Sequence, residues 1–310
     1  MRRAAASTAP HSGVMSTIAA PQHAEGSFTG AAGRRIAWQS WRDPEAETRA
    51  RIVIAHGAGE HGGRYRHLAR ALPGRGYPVW AIDHHGHGRS EGPRYLESYD
   101  DAVTDLDQLV ELVSAEDPAA PLFLLGHSMG GAIALLYALR HQAKLSGLII
   151  SAPATSDAAA PLPLRYAGRI LQLDRLIARL SPEFGLVALP PQDLSRDPAE
   201  VQAYIDDPLV PGGGKLKAKT ASEMAKAMRG PLAKDLGAIT VPILLIHGSD
   251  DPLIPLDASE HVRDHVRSDD ITMHVYPGLL HEVFNELAED RDRAIEDVLA
   301  WLDARAVSPR

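Results

Sequence analysis

The sequence predicts an α/β fold, a mainly parallel central sheet covered by helices on both faces. Two patterns carry that reading. Short apolar runs alternate with longer amphipathic stretches along most of the chain, as parallel strands and their crossover helices require. Most of the runs are apolar without alternation, which is how strands buried on both faces read. Strands are expected at 35–40, 51–56, 78–83, 121–126, 146–151, 242–247 and 271–276, and helices at 63–74, 99–115, 129–142, 256–267 and 287–304. Asp117-Pro118 and Asp197-Pro198 mark breaks between elements.

Residues 1–25 are rich in Ala, Ser, Pro and Gly, and Arg2 and Arg3 are not followed by the apolar segment of a signal peptide. A disordered tail is expected there. No apolar run approaches the roughly 18 residues of a membrane span. The 310-residue chain has a formal net charge of −8, which gives no global attraction to nucleic acid. It has no cysteine, which excludes disulfides, thiolate metal sites and cysteine nucleophiles and is compatible with a reducing, cytoplasmic location.

The run Leu122-Phe123-Leu124-Leu125 leads into Gly126-His127-Ser128-Met129-Gly130, and a helical stretch follows. Strand, sharp turn and helix are the context in which G-x-S-x-G is the nucleophile elbow of the α/β-hydrolase fold, so Ser128 is the expected nucleophile. Gly126 and Gly130 would remove side chains that collide across the turn. The helix N-terminus would point its amides at developing negative charge. The competing reading is a glycine-rich structural turn carrying an idle serine.

A serine hydroxyl needs an adjacent base, and in this fold the chain order is serine, acid, histidine. The base should therefore follow the last strand. His281 does, in the loop Tyr276 to Glu282, whereas His274 lies inside the strand and His261 and His265 in an expected helix. The acid should leave the preceding strand, where Asp250 and Asp251 are adjacent and spacing does not choose between them. The oxyanion hole of this fold takes one amide after the nucleophile and one from an early loop. Met129 and Ala58, the latter in His56-Gly57-Ala58-Gly59-Glu60-His61, are the corresponding residues.

These segments together resemble the monoacylglycerol lipase family, with its actinobacterial members most similar. The resemblance rests on His56 to His61 followed by Arg64-Tyr65, on Asp83-His84-His85-Gly86-His87-Gly88-Arg89-Ser90, on Gly126 to Gly131 and on Tyr276 to Asn285. Ser195 to Pro198 and Tyr204 to Pro208 add to it. It runs from about 26 to 304 and implies several things. The family acid falls on Asp251, giving a Ser128–Asp251–His281 triad, and Ala58 and Met129 match the oxyanion amides. Glu60, Arg64 and His127 match residues near the glycerol end of the substrate pocket, and Asp83 to Ser90 matches a framework loop. His84-His85 is a departure that touches no catalytic residue.

The architecture so implied is an α/β-hydrolase core at 26–152 and 239–306, with a helical cap at 153–238 inserted after the sixth strand. The proline-rich composition of 153–238 and its Gly212-Gly213-Gly214 run fit such an insertion, and one placed there can roof an active site. Within it, Ile170, Leu173, Ile177 and Leu180 share a helical face. Two readings stand: a lid helix making transient membrane or micelle contact, or an ordinary amphipathic helix packed on the core. Five of the six lysines fall in 215–234, where a solvated helix face is expected. His84, His85 and His87 are too close in sequence to converge easily on one ion, so no metal is expected. The chemistry needs no cofactor. Its substrate would be a small lipid ester, a monoacylglycerol first. A broader esterase or lysophospholipase would use the same triad. A non-enzymatic binding module on this frame is the third reading, and the complete set of catalytic residue types speaks against it.

Overall fold

The structure is a computed structural model that describes residues 20–155, 173–210 and 215–306. Its strands are β1 (Gln22–Thr29), β2 (Arg35–Arg42), β3 (Arg51–Ala55), β4 (Val79–Ile82), β5 (Leu122–His127), β6 (Gly147–Ser151), β7 (Gly185–Ala188), β8 (Lys215–Lys217), β9 (Ile243–Gly248) and β10 (Ile271–Tyr276). Eight of them form one sheet in the order β1-β2-β4-β3-β5-β6-β9-β10. It is parallel from β4 to β10, and β1 and β2 pair antiparallel at one edge.

All seven expected strands are present, and the reason is burial. Every residue of β3, β5, β6 and β9 is buried, so their sequences could be continuously apolar. The two-residue period sorts their side chains to opposite faces. Val53, Leu124, Ile150 and Leu245 join one apolar layer with α2 (Tyr99–Glu116) and α3 (Met129–His141). Ile52, Ile54, Phe123 and Leu244 join the other. There they meet Leu68 of α1 (Arg66–Ala71) and Val298, Leu299 and Leu302 at the C-terminal end of the chain. Helix α2 starts at an N-cap, with the Ser98 hydroxyl accepting the Asp100 and Asp101 amides at 3.1 and 3.2 Å.

One boundary differs from expectation. Residues 22–25, placed by sequence in the disordered tail, belong to β1, which pairs with β2 from Gln22↔Arg42 to Thr29↔Arg35. The strand is polar and mostly exposed, so it has no pattern of its own to read. Its order comes from its partner: the His23 ring stacks on Trp41 at 5.1 Å, and Gly26 lies flat on Trp38, where a Cβ would come within 2.3 Å of the indole. With β1 counted, β6 is the sixth strand, and the cap follows it.

The described parts of the cap are α4 (Leu173–Leu180), α5 (Pro198–Ile205), α6 (Ala218–Arg229), α7 (Pro231–Lys234) and an antiparallel pair, β7 with β8, that was not anticipated. Two of the clustered lysines therefore do not belong to a helix face, since Lys215 and Lys217 lie on β8. Ala227, Leu232 and Leu236 pack into the α2–α3 layer, so the end of the insertion is anchored in the core. Leu180, 73% exposed, and Phe184, 57% exposed, stand on the outer surface of the cap. Residues 156–172, which include Ile170, lie outside the described residues. The remaining helices are α8 (Asp257–His265) and α9 (Ala288–Asp303). Among the described residues no helix is long and apolar enough to cross a membrane.

Candidate active site

Strand β5 ends at His127 and α3 begins at Met129, leaving Ser128 alone to turn the chain. It does so at φ 53°, ψ −117°. That backbone costs a non-glycine residue roughly 1–3 kcal/mol, and the surroundings hold it there. The Ser128 amide donates to Ser151 O at 2.9 Å, and its carbonyl accepts the Ala154 amide at 3.0 Å and that of Ala132 at 3.2 Å. The flanking glycines are required by contact. A Cβ on Gly126 would lie 2.4 Å from Gly130 O, and one on Gly130 would lie 2.1 Å from Ala55 O.

The loop after β9 carries the two aspartates, and the structure separates them. Asp250 is exposed and accepts the Ser249 hydroxyl at 2.7 Å. Asp251 is buried. Its Oδ2 accepts His281 Nδ1 at 2.7 Å, and its Oδ1 accepts the Leu253 and Ile254 amides at 2.8 and 2.9 Å. Burial pushes the Asp251 carboxyl upward, but the facing His281 and the bonds from His247, His281 and Ile254 outweigh it and hold it well below the usual carboxylate range. Burial opposes the charge on His281 in turn, and Asp251 overcomes it, so the imidazole is raised above its ordinary value.

His281 is also held from the nucleophile side. Its ring packs on His127, the residue before Ser128, at 4.6 Å, and His127 Nδ1 bonds to Ser151 Oγ at 3.1 Å. His127, expected at the glycerol end with Glu60 and Arg64, thus belongs to the support of His281. Gly57 lies where Glu60, Ser128 and His127 meet. A Cβ there would meet Glu60 Oε1 at 2.9 Å, Ser128 Cβ at 3.2 Å and His127 Cδ2 at 3.3 Å.

The loop of Ala58 is fixed on both sides of Gly57. The Gly57 amide donates to Glu60 Oε1 at 2.5 Å, and the Gly57 carbonyl accepts His56 Nδ1 at 2.8 Å. His56 Nε2 in turn accepts the His84 amide at 2.9 Å, which defines a neutral imidazole with its proton on Nδ1. Burial, with His84 and His87 nearby, keeps its pKa well below the ordinary value. The Gly57 carbonyl and the Ala58 N–H share one peptide plane, so His56 orients the Ala58 amide. Among the described residues neither the Ala58 nor the Met129 amide donates to an acceptor. Asp83 holds its own loop, accepting the Gly62 and Arg89 amides at 2.8 and 2.9 Å. The His84 and His87 rings both pack tilted against His56, at 4.6 and 5.3 Å, while His85 turns to Asp105 and His87 Nδ1 bonds back to His85 O. Among the described residues no group of three His, Asp or Glu side chains is placed to hold a metal ion.

Glu60 and Arg64 do come together, in a buried cluster that sequence showed only in part. Arg64 pairs with Glu60 at 3.5 Å and with Glu282, and its guanidinium lies 4.8 Å over the Tyr204 ring. Tyr65 donates to Glu60 at 2.8 Å and Asn285 to Glu282 at 2.8 Å. Burial first, then the charge of Glu282, push Glu60 up to about 7. Replacing Arg64 with Met should destabilise the fold by about 3–5 kcal/mol, because two buried carboxylates lose their cation. The folded-state pKa of Glu60 is already raised by burial and by Glu282, and without the cation the folded protein binds a proton there more readily than the unfolded chain, so the loss should be smaller at pH 5 than at pH 8. Urea denaturation at both pH values measures it, and a loss under about 1 kcal/mol at pH 8 would show the cluster to be solvated.

Two contributors went unread in the sequence. His247 donates Nε2–H to Ile254 O at 2.9 Å and lies 3.3 Å from Asp251 Oδ2, while Ser259 fixes its Nδ1 at 2.7 Å. It is a second imidazole on the same carboxylate. Glu282 sits beside His281 in sequence, but its partner Arg64 is 218 positions away. The cap clasps both loops: Leu194 O accepts the Glu282 amide at 2.8 Å, Ser195 donates to Asn285 O at 2.7 Å, and Asp207 bonds His61 at 2.9 Å.

A mainly parallel sheet with a strained serine elbow at the end of β5 and an Asp–His pair on the loops after β9 and β10 defines a serine hydrolase of the α/β-hydrolase superfamily. Residues 46–288 match the family model described as serine aminopeptidase, S33. The chain is 37% identical to the monoacylglycerol lipase of Mycolicibacterium smegmatis over 284 residues, covering 90% of this chain and 96% of that one. It is 34% identical to the human monoglyceride lipase, covering 89% of each. The structure of a soluble variant of Saccharomyces cerevisiae monoglyceride lipase with a substrate analog superposes with a TM-score of 0.78 at 25% identity, covering 96% of this chain and 100% of that one. The chain belongs to the monoacylglycerol lipase family of S33-type serine hydrolases.

Proposed function

We propose that the protein hydrolyses monoacylglycerols to fatty acid and glycerol through an acyl-enzyme. Ser128 attacks the acyl carbonyl while His281 takes its proton, and Asp251 holds the imidazole in the required tautomer and faces the cation that forms. The Ala58 and Met129 amides receive the oxyanion, each worth roughly 3–4 kcal/mol in the transition state. His281 then protonates the departing glycerol oxygen, and water repeats the sequence on the acyl-enzyme.

The observation that carries the substrate reading is the buried polar cluster of Glu60, Arg64 and Glu282, which reaches Gly57, beside Ser128, through Glu60. Buried charged groups this close to the nucleophile are suited to the free hydroxyls of a glycerol headgroup. A triacylglycerol offers none, and it carries two further chains. Sites built to pair a hydroxyl reject analogues that lack it, because their own polar groups go unpaired. The names of the relatives in two bacterial and animal lineages support the same substrate. On dispersed substrates of matched acyl chain, kcat/KM for the monoacylglycerol should exceed that for the triacylglycerol by at least about 100-fold. Equal or reversed values would leave a general esterase or lipase.

A further inference from the structure

The two loops that serve Ser128 come from distant parts of the chain, the oxyanion loop from His56 to His61 and the base loop around His281. Acyl transfer needs both at once. The Ala58 amide must meet the oxyanion while His281 meets the serine proton. Each loop has supports of its own. Asp251 and the His127 ring hold the His281 side chain, and His56 holds the Gly57 carbonyl. A further connection joins the two loops directly, and the acyl-transfer steps above give it no part.

It runs through three buried side chains. The Gly57 amide donates to Glu60 Oε1 at 2.5 Å, and the Tyr65 hydroxyl donates to the same oxygen at 2.8 Å. Glu60 Oε2 faces Arg64 Nε at 3.5 Å. Arg64 Nη2 then donates to Glu282 Oε2, which also accepts Asn285 Nδ2 at 2.8 Å. Glu282 follows His281 in the chain, so anchoring it anchors the backbone of the base one peptide away. The Glu282 amide is held as well, donating to Leu194 O of the cap at 2.8 Å. Glu60, Arg64 and Glu282 are each no more than 6% exposed, and so low a local dielectric strengthens the bonds among them.

Fold stability gives little reason for the arrangement. Two carboxylates share one guanidinium. Burial and the facing Glu282 push Glu60 up to about 7, which is the mark of a costly site. Buried ion pairs are weak sources of stability, and their best-attested use is to fix a register. Here the partners so registered, Arg64 and Glu282, are 218 positions apart and belong to the segments that carry the oxyanion amide and the base.

We propose that Glu282 is a positioning residue for acyl transfer: linked through Arg64 and Glu60 to the Gly57 amide, it braces the loop of His281 against the oxyanion loop, so that both reach Ser128 in register. The proposal rests on the serine hydrolase chemistry given above and not on the choice of alcohol. Glu282 meets no substrate in this role and acts through its neighbours. Misplacing a reacting group by about 1 Å can cost on the order of 100-fold in rate, so a brace of this kind shows in kcat.

The test compares the wild type with Glu282→Gln and Glu282→Asp on two esters of one acyl chain, a monoacylglycerol and a p-nitrophenyl ester that has no glycerol. Rates are expressed per site titrated with a fluorophosphonate, so that only competent, folded enzyme is counted. Glutamine keeps the length of the side chain and an oxygen for Arg64 and Asn285. Its kcat should stay within about threefold of the wild type. Aspartate keeps the charge but is one methylene too short to hold Arg64 in place. Its kcat should fall by at least about tenfold on both esters, with KM changed by less than about threefold. The rate at which the fluorophosphonate modifies Ser128 should fall in parallel, because that attack uses the same base and the same amides. A loss confined to the monoacylglycerol, or carried by KM, would make Glu282 a substrate contact and overturn the brace while the hydrolase reading stands. An aspartate variant as fast as the wild type would overturn it too. So would a glutamine variant as slow as the aspartate one, or a slow glutamine beside a fast aspartate, which would assign the effect to charge. If the wild type cleaves neither ester, the hydrolase reading falls and labelling decides the brace by itself. Slower modification of the aspartate variant alone then supports it, and equal rates in all three proteins overturn it.

Discussion

Ser128→Ala should abolish turnover, with kcat falling by on the order of 10⁶, as loss of a triad serine does in other serine hydrolases. The folded protein should survive the change. The Ser128 backbone is held at φ 53° by the bond its amide donates to Ser151 O and by those its carbonyl accepts from the Ala132 and Ala154 amides, none of which involves the hydroxyl. Alanine inherits the same strained backbone, neither relieving nor adding to it. The melting temperature should therefore move by only a few degrees, the scale of about 1 kcal/mol for a domain of this size. The chemical counterpart is labelling: a fluorophosphonate should modify the wild type at Ser128 and leave the alanine variant unmodified. Mass spectrometry of the labelled peptide decides the point, and a label on any other serine would end the assignment.

What could be read from the sequence was what burial writes into it. β3, β5, β6 and β9 are enclosed on both faces, and their apolar runs placed them within a residue or two. Ser128 was legible because the elbow is a local motif in which each glycine answers to a contact a few ångströms away. His281 followed from chain order. Asp251 did not follow from spacing, since Asp250 is its neighbour, and only the family register chose it. In the structure the choice is made by tertiary geometry, with one aspartate turned out to Ser249 and the other turned in to His281. β1 was invisible for a related reason: its order is imposed by Trp38 and Trp41 of the neighbouring strand. The same holds for the pairing of Arg64 with Glu282, where two loops distant in the chain meet under a cap segment. Periodicity reports how deeply an element is buried. It carries no information on which polar side chains meet across loops.

Asp251→Asn should reduce kcat by roughly 10⁴, the size seen when a protease triad carboxylate becomes an amide, whereas Asp250→Asn should change it by less than about threefold. The surroundings of Asp251 dictate which way an asparagine must sit. Oδ1 accepts the Leu253 and Ile254 amides, and only the carbonyl oxygen of an asparagine can take that place. Its NH₂ group is then forced toward His281 Nδ1 and His247 Nε2. His281 can meet a donor only by accepting through Nδ1, which puts its proton on Nε2, the nitrogen that must take the proton of Ser128. His247 cannot yield by the same route, because its Nε2–H is committed to Ile254 O and its Nδ1 to Ser259. Two donors would face each other in a buried loop. The variant also loses the charge that raises His281, so the acid limb of its residual kcat/KM should move to lower pH than in the wild type, as a base with a lowered pKa stays neutral further into acid. Asp250 is exposed, with Ser249 Oγ as its side-chain partner, and an amide oxygen accepts that bond equally well. Turnover of a monoacylglycerol by the two variants at pH 8, with the pH profile of whichever is slow, measures all of this. A crippled Asp250→Asn beside an active Asp251→Asn would contradict the 2.7 Å contact between Asp251 and His281 and move the acid by one residue.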